Sequence, residues 1–134
     1  MRLLLDTHIA LWYASDDSKL SPKAKDLIRA PANSVYCSIV SVWEVAIKHS
    51  LSTEKMPVSD EKFCGYARRF GDGLLALEER HIAMLKTLRL APGAKEHRDP
   101  FDRMLICQAK AENMMLLTHD ALLQGYEEPC VLLV

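Results

Sequence analysis

Four acidic residues, Asp6, Glu44, Asp102 and Asp120, mark the ends of the most telling segments of this 134-residue chain. Asp6 ends the apolar run Leu3-Leu4-Leu5, and Glu44 lies just past Val35-Tyr36-Cys37-Ser38-Ile39-Val40. Asp102 opens a helical stretch, and Asp120 follows Met114-Met115-Leu116-Leu117. In an open α/β sheet, residues just beyond the carboxyl ends of parallel strands line the ligand crevice. If these runs are neighbouring strands, the four carboxylates meet in one pocket. Such a cluster repels itself unless a hard divalent cation sits within it, and all-oxygen ligands suit Mg²⁺ or Mn²⁺. A carboxylate-held metal beside an open crevice points to phosphodiester hydrolysis.

Each acid also has a plainer reading. Asp6 can cap a helix starting at Thr7 or His8. Glu44 can pair with Lys48 one turn on. Asp102 faces the positive end of its helix, and Asp120 can cap Ala121-Leu122-Leu123. Asp99 is well explained as the N-cap ahead of Pro100, with Arg103 four residues on as an ion-pair partner, which leaves it at most a supporting role behind the ligands. The Thr118 hydroxyl suits orienting a carboxylate, or else a local backbone hydrogen bond. All four acids nevertheless lie at one end of the inferred strands.

The elements that must position these groups alternate regularly. Strands are expected at Arg2–Asp6, Val35–Val40, Leu74–Leu77, Met114–Thr118 and Cys130–Val134. Between them, helices are expected from Thr7 to about Ser15 and from Pro22, capped by Ser21, to Ala30-Pro31. Others are expected from a Ser41 cap to about Leu51, and from a Ser59 cap with Asp60 and Glu61 in the first turn. An amphipathic helix over Glu78–Leu88 would bury Ile82, Leu85 and Leu88, and the Asp99-Pro100 helix would run to about Glu112. This alternation predicts a doubly wound α/β domain with a mostly parallel sheet of about five strands, spanning residues 1–134 as one unit.

Composition narrows the class. Apolar residues are 49% and charged residues 26%, as in ordinary folded proteins, and the net charge of −1 gives no global signal for nucleic acid. Cys37, Cys64, Cys107 and Cys130 form no C-x-x-C pair, which reads as reduced cysteines in a cytoplasmic protein. No apolar stretch approaches the roughly 20 residues needed to span a membrane, and the five histidines show no zinc spacing.

Leu4-Leu5-Asp6-Thr7-His8, Ser41-Val42-Trp43-Glu44, the stretch His97-Arg98-Asp99-Pro100-Phe101-Asp102-Arg103-Met104-Leu105-Ile106, and Leu116-Leu117-Thr118-His119-Asp120 together resemble a PIN domain. The nearest resemblance is to the VapC-type toxins of type II toxin–antitoxin systems, over essentially the whole chain. It implies a Mg²⁺- or Mn²⁺-dependent endoribonuclease that hydrolyses RNA through a metal-activated water. Asp6, Glu44, Asp102 and Asp120 would be its catalytic metal ligands. Asp99, Thr118 and Thr7 would support them. A homodimer and a cognate antitoxin partner are implied as well. Lys48, His49, Lys55, Arg68, Arg69 and Arg98 are the candidate RNA contacts, since RNA phosphates are held by Lys and Arg. Trp12, Tyr13 and Trp43 are candidate docking surface for an antitoxin helix. Two rivals remain: a Mg²⁺-dependent phosphatase or phospho-acceptor domain, and a PIN-fold binding module without catalysis. A nucleophilic-Asp phosphatase would want a second Asp two residues after Asp6, where this chain has His8.

Overall fold

The computed structural model describes residues 1–134. Five strands form one sheet: β1 (Arg2–Leu5), β2 (Ser34–Ser38), β3 (Gly73–Leu75), β4 (Met115–Thr118) and β5 (Val131–Leu133). Their order is β3-β2-β1-β4-β5, and every pairing is parallel. The helices are α1 (Thr7–Ser15), α2 (Pro22–Arg29), α3 (Ile39–Leu51), α4 (Asp60–Phe70), α5 (Glu79–Ala83) and α6 (Pro100–Glu112). Two 3-10 segments, Met84–Thr87 and Ala121–Tyr126, complete the chain.

The leucines of β1 explain why the sheet is covered on both sides. Side chains alternate across a strand, so Leu3 and Leu5 face one way and Leu4 the other. Leu3 and Leu5 pack with Ile9, Ala24, Phe63 and Leu117, beneath α1, α2 and α4. Leu4 packs with Leu105, Ile106, Leu116 and Leu123, beneath α6 and the second 3-10 segment. All three leucines are fully buried, as a central parallel strand requires.

The chain leaves β1 first toward β2 and β3, then crosses back to place β4 on the other side of β1. That reversal opens a crevice at the carboxyl ends of β1 and β4. Asp6 follows the end of β1 directly, and Asp120 stands two residues past the end of β4.

Three expected boundaries move. The third helix begins at Ile39, not after Ser41, because the Ser38 hydroxyl accepts the Val40 N–H at 2.9 Å and caps it. The strand β2 therefore stops at Ser38, and Ser41 is a buried helical residue. The strand β3 spans Gly73–Leu75, starting one residue before and ending two residues before the expected Leu74–Leu77. The expected helix over 78–88 splits into α5 and a 3-10 turn, with Ile82 exposed and His81 fully buried. Histidine wins the buried position because its ring is satisfied at both nitrogens. Nδ1 accepts the Glu78 N–H and Nε2 meets Glu112 Oε1, each at 3.0 Å.

Candidate metal centre

At the crevice the structure brings Asp6, Glu44, Asp99, Asp102 and Asp120 to the walls of one cleft of about 470 Å³. Lys48, His8, His119, Trp12 and Ala121 complete its lining. The carboxylates arrive from four places: the end of β1, α3, the start of α6 (which supplies Asp99 and Asp102) and the loop after β4. Asp6 is the first residue after β1, and its N–H bonds the Leu117 carbonyl of β4 at 2.9 Å. It stands at the N-cap position of α1, yet its side chain makes no capping bond. The capping explanation for its side chain therefore fails. Instead, the buried Thr118 hydroxyl donates to Asp6 Oδ2 at 2.6 Å.

Glu44 reaches the cleft from the second turn of α3 and is almost wholly buried. Thr7 Oγ1 lies 2.7 Å from Glu44 Oε1 and 2.8 Å from Ser41 Oγ. A carboxylate only accepts, so the single Thr7 proton goes to Glu44 and Ser41 supplies the other bond. The second oxygen of Glu44 takes Lys48 Nζ, the ion pair one turn away. Both readings of Glu44 thus hold together: it is paired, and it lines the cleft.

At the start of α6 the two aspartates divide their work. Asp99 accepts the N–H groups of Phe101 and Asp102 at 2.9 and 3.0 Å, an N-cap with Pro100 behind it. The expected ion pair between Asp99 and Arg103 does not form; only the Arg103 backbone N–H reaches the Asp99 carbonyl. Asp102 caps nothing and is held by His97, whose Nε2 lies 3.1 Å from Asp102 Oδ2. Asp120 is shared between two jobs. Its Oδ1 accepts the Leu122 N–H at 2.9 Å, and its Oδ2 lies 3.9 Å from His97 Nε2.

Electrostatics marks this as a place that wants a cation. Burial, then the charges of Asp6, Asp99, Glu44 and Asp120, push the Asp102 carboxyl up to about 8. Burial also raises Asp6, against the opposing pull of Thr118 and His8. For Lys48, burial works to lower the ammonium, but the Glu44 bond and the charges of Glu44, Asp99 and Asp102 outweigh it and raise it. Four carboxylates without thiols form a hard, oxygen-rich donor set, and the residues present fit Mg²⁺ or Mn²⁺. Ligand atoms of His97, Asp102 and Asp120 lie within 4.8 Å of one another and could hold it, and Asp6 and Glu44 line the same cleft.

A second cluster, Glu78, His81 and Glu112, also gathers possible ligands. It is already served by a protein cation. Arg80 pairs with both Glu78 and Glu112, and both His81 nitrogens are engaged.

The expected RNA contacts scatter. Lys48 lines the cleft, and Lys55 lines a neighbouring groove that shares His8 and Trp12 with it. His49 is occupied inside the fold, its Nδ1 2.8 Å from the Met56 carbonyl oxygen. Arg68 is exposed on α4, Arg69 lies over the Tyr66 ring, and Arg98 pairs with Glu96; none of the three lines the cleft. Helical propensity and charge reveal that such residues are outside, not which way they face. The aromatics divide too. Trp12 borders both cavities, Tyr13 packs edge-on against Phe70, and Trp43 is 59% exposed over Phe101. Sequence alone gives His97 no role. Its place five residues before Asp102, inside the most distinctive motif of the chain, was the available signal.

The fold and cleft define a class, and the comparisons agree. The family model described as PIN domain matches residues 3–128. The chain belongs to the PIN domain family. Its fold is similar to a chain in the crystal structure of VapBC2 from Rickettsia felis bound to a promoter DNA fragment, at 18% identity and TM-score 0.64. That match covers 100% of this chain and 98% of the other. VapBC-1 from nontypeable Haemophilus influenzae is similar at 17% identity and TM-score 0.60, covering 95% and 91%. A toxin–antitoxin complex from Klebsiella pneumoniae is similar at 19% and 0.54, covering 97% and 95%. No curated protein matches the sequence significantly. No helix is long and apolar enough to cross a membrane.

Proposed function

We propose that this protein is a Mg²⁺- or Mn²⁺-dependent endoribonuclease and the toxin of a type II toxin–antitoxin pair. The observation that carries the reading is the convergence of Asp6, Glu44, Asp102 and Asp120 on one open cleft at the topological switch point. Membership of the PIN family and the likeness to chains from toxin–antitoxin complexes support it. In this reading residues 1–134 are one domain, working in the cytoplasm as a homodimer held in check by a cognate antitoxin.

A divalent cation, when bound, supplies charge neutralisation and Lewis acidity at the scissile phosphate and its attacking water. The chain's own residues do the rest. Thr118 and Thr7 fix Asp6 and Glu44 by hydrogen bonds. The Asp99 cap starts α6 at the register that aims Asp102 into the cleft. Lys48 stands beside Glu44, where an ammonium can meet a phosphate oxygen. No histidine is needed as nucleophile or base, so products carry 5′-phosphate and 3′-hydroxyl ends.

The test is cleavage of single-stranded RNA with Mg²⁺ or Mn²⁺, abolished by EDTA and by Asp102→Asn. Ends bearing 2′,3′-cyclic phosphate would exclude this chemistry. Turnover of nitrophenyl phosphate without RNA cleavage would favour the phosphatase reading. Metal binding without any turnover would favour a binding module.

A further inference from the structure

His97 sits two residues ahead of the α6 cap and is 8% exposed. Tyr126, at the end of the second 3-10 segment, grips it twice. The Tyr126 hydroxyl donates to the His97 carbonyl oxygen at 2.9 Å, and the Tyr126 hydroxyl oxygen lies 3.2 Å from His97 Nδ1. The two rings meet edge-to-face with centroids 5.7 Å apart. Backbone and ring are thereby fixed together, so the direction of Nε2 is set by the fold. Nε2 points at Asp102 Oδ2, 3.1 Å away, with Asp120 Oδ2 at 3.9 Å. With a metal bound Asp102 is ionised and offers only acceptors, so the bond to Asp102 then runs from the ring N–H to the oxygen. Asp102 Oδ1 takes no bond from the protein and remains free for the cleft. His97 itself is not among the residues lining the cleft.

The geometry points to His97, braced by Tyr126, as a positioning residue that fixes the Asp102 carboxylate, and its spacing from Asp120, for the divalent cation. This rests on the metal-centre reading above. A carboxylate free to rotate must be ordered at the moment of binding, and that cost appears as lost affinity. Groups that hydrogen-bond a metal's ligands typically contribute about 10–100-fold in affinity or activity when removed. The alternative is a histidine that only fills space between α6 and the second 3-10 segment.

The experiment measures Mn²⁺ binding by electron paramagnetic resonance in wild type, His97→Leu, His97→Gln and Tyr126→Phe, with melting curves in EDTA alongside. Leucine fills the volume without an N–H, whereas the glutamine carboxamide can return a donor to Asp102. The expected result is Mn²⁺ binding about 10–100-fold weaker in His97→Leu, largely recovered in His97→Gln, and weakened to a smaller degree in Tyr126→Phe. Wild-type Mn²⁺ should show no directly coordinated nitrogen. Wild-type affinity in both His97→Leu and Tyr126→Phe overturns the inference, and so does a nitrogen coupling that makes His97 a ligand. Should His97→Leu fail to fold, Tyr126→Phe, which loses only a hydroxyl, decides by the same measure. If wild type binds no Mn²⁺ at all, the metal-centre reading falls and this one with it. Wild-type binding with unchanged variants sinks only this inference.

Discussion

The Thr118 hydroxyl donates to Asp6 Oδ2 at 2.6 Å and accepts the Asp120 N–H at 3.1 Å, so one buried side chain ties the end of β1 to the loop after β4. Two of the four converging acids are therefore set by a single oxygen. Replacing Thr118 with Val keeps the shape and β-branching but deletes both bonds. Hydrogen bonds to charged groups contribute about 1.5–3 kcal/mol, and an orphaned buried group costs about 1–3 kcal/mol. Thr118→Val should thus lower stability by about 1–3 kcal/mol and weaken Mn²⁺ binding. Denaturant melts and metal titration check the two effects separately.

The repulsion within the cleft predicts an unusual pH response for the metal-free protein. Asp102 is raised to about 8 in the folded state from an ordinary value of 3.8. Between roughly pH 4 and pH 8 the folded protein holds a proton that the unfolded chain has lost. Stability must then fall as pH rises through that window, and the full penalty is present above it. Asp102→Asn cannot ionise, so its stability in EDTA should stay flatter and exceed that of wild type increasingly up to pH 8. Mn²⁺ must displace the same proton, so wild-type affinity should climb with pH and level off near 8. Identical pH dependence in wild type and Asp102→Asn would place the titration elsewhere.

Asp99 and Asp102 stand three residues apart at the start of one helix and should separate cleanly in melting curves. Asp99 accepts two backbone N–H groups, so Asp99→Ala should cost about 1 kcal/mol with or without metal. Asp102 makes no cap bond, so its removal should cost no stability in EDTA, and a loss relative to wild type should show only when metal is present. At a hundredfold excess of Mn²⁺ over Kd, wild type and Asp99→Ala should each gain about 2.7 kcal/mol, while Asp102→Asn gains little. A full Mn²⁺ gain in Asp102→Asn with none in Asp99→Ala would reverse the assignment.

The parts of this arrangement legible in the sequence are those governed by local rules. Leu3-Leu4-Leu5 reads as a doubly buried strand because no polar residue interrupts it, and Asp99-Pro100 reads as a helix start because both residues have one favourable place there. What stayed hidden depends on tertiary partners. Ser38 and Ser41 are equally good caps by type, and Ser38 prevails because its hydroxyl is also held by Gln108 of α6, 70 residues away. His81 displaces Ile82 from the interior only because Glu112 waits there to receive its ring nitrogen. His97 acquires a direction from Tyr126, which no local pattern links to it. Asp6 and Asp120 are visible as residues beyond strand ends and Asp102 as one at a helix start, but Glu44 proves to lie in the second turn of α3. The two threonines and the histidine that orient these acids become specific only once the strands are paired.

Lys48 gives the last prediction, because it occupies the place of a cation in a cleft that needs one. Its ammonium pairs with Glu44 Oε2, while Thr7 holds Oε1, so without metal Glu44 is fully engaged. A divalent ion approaching Glu44 must compete with that ammonium and is repelled by its charge. Lys48→Met keeps the length of the side chain and its packing along α3 but removes the charge. Without metal, the variant leaves Glu44 and its neighbours less neutralised, so its melting point in EDTA should drop below that of wild type. With Mn²⁺ the competition is gone, so the variant should bind metal more tightly and recover most of that loss. RNA should respond in the opposite direction: the cleft loses its one lysine, and phosphate binding weakens with a shallower salt dependence. Tighter Mn²⁺ together with weaker RNA assigns Lys48 to the substrate. If Mn²⁺ affinity falls along with RNA affinity, Lys48 instead acts by orienting Glu44 for the metal.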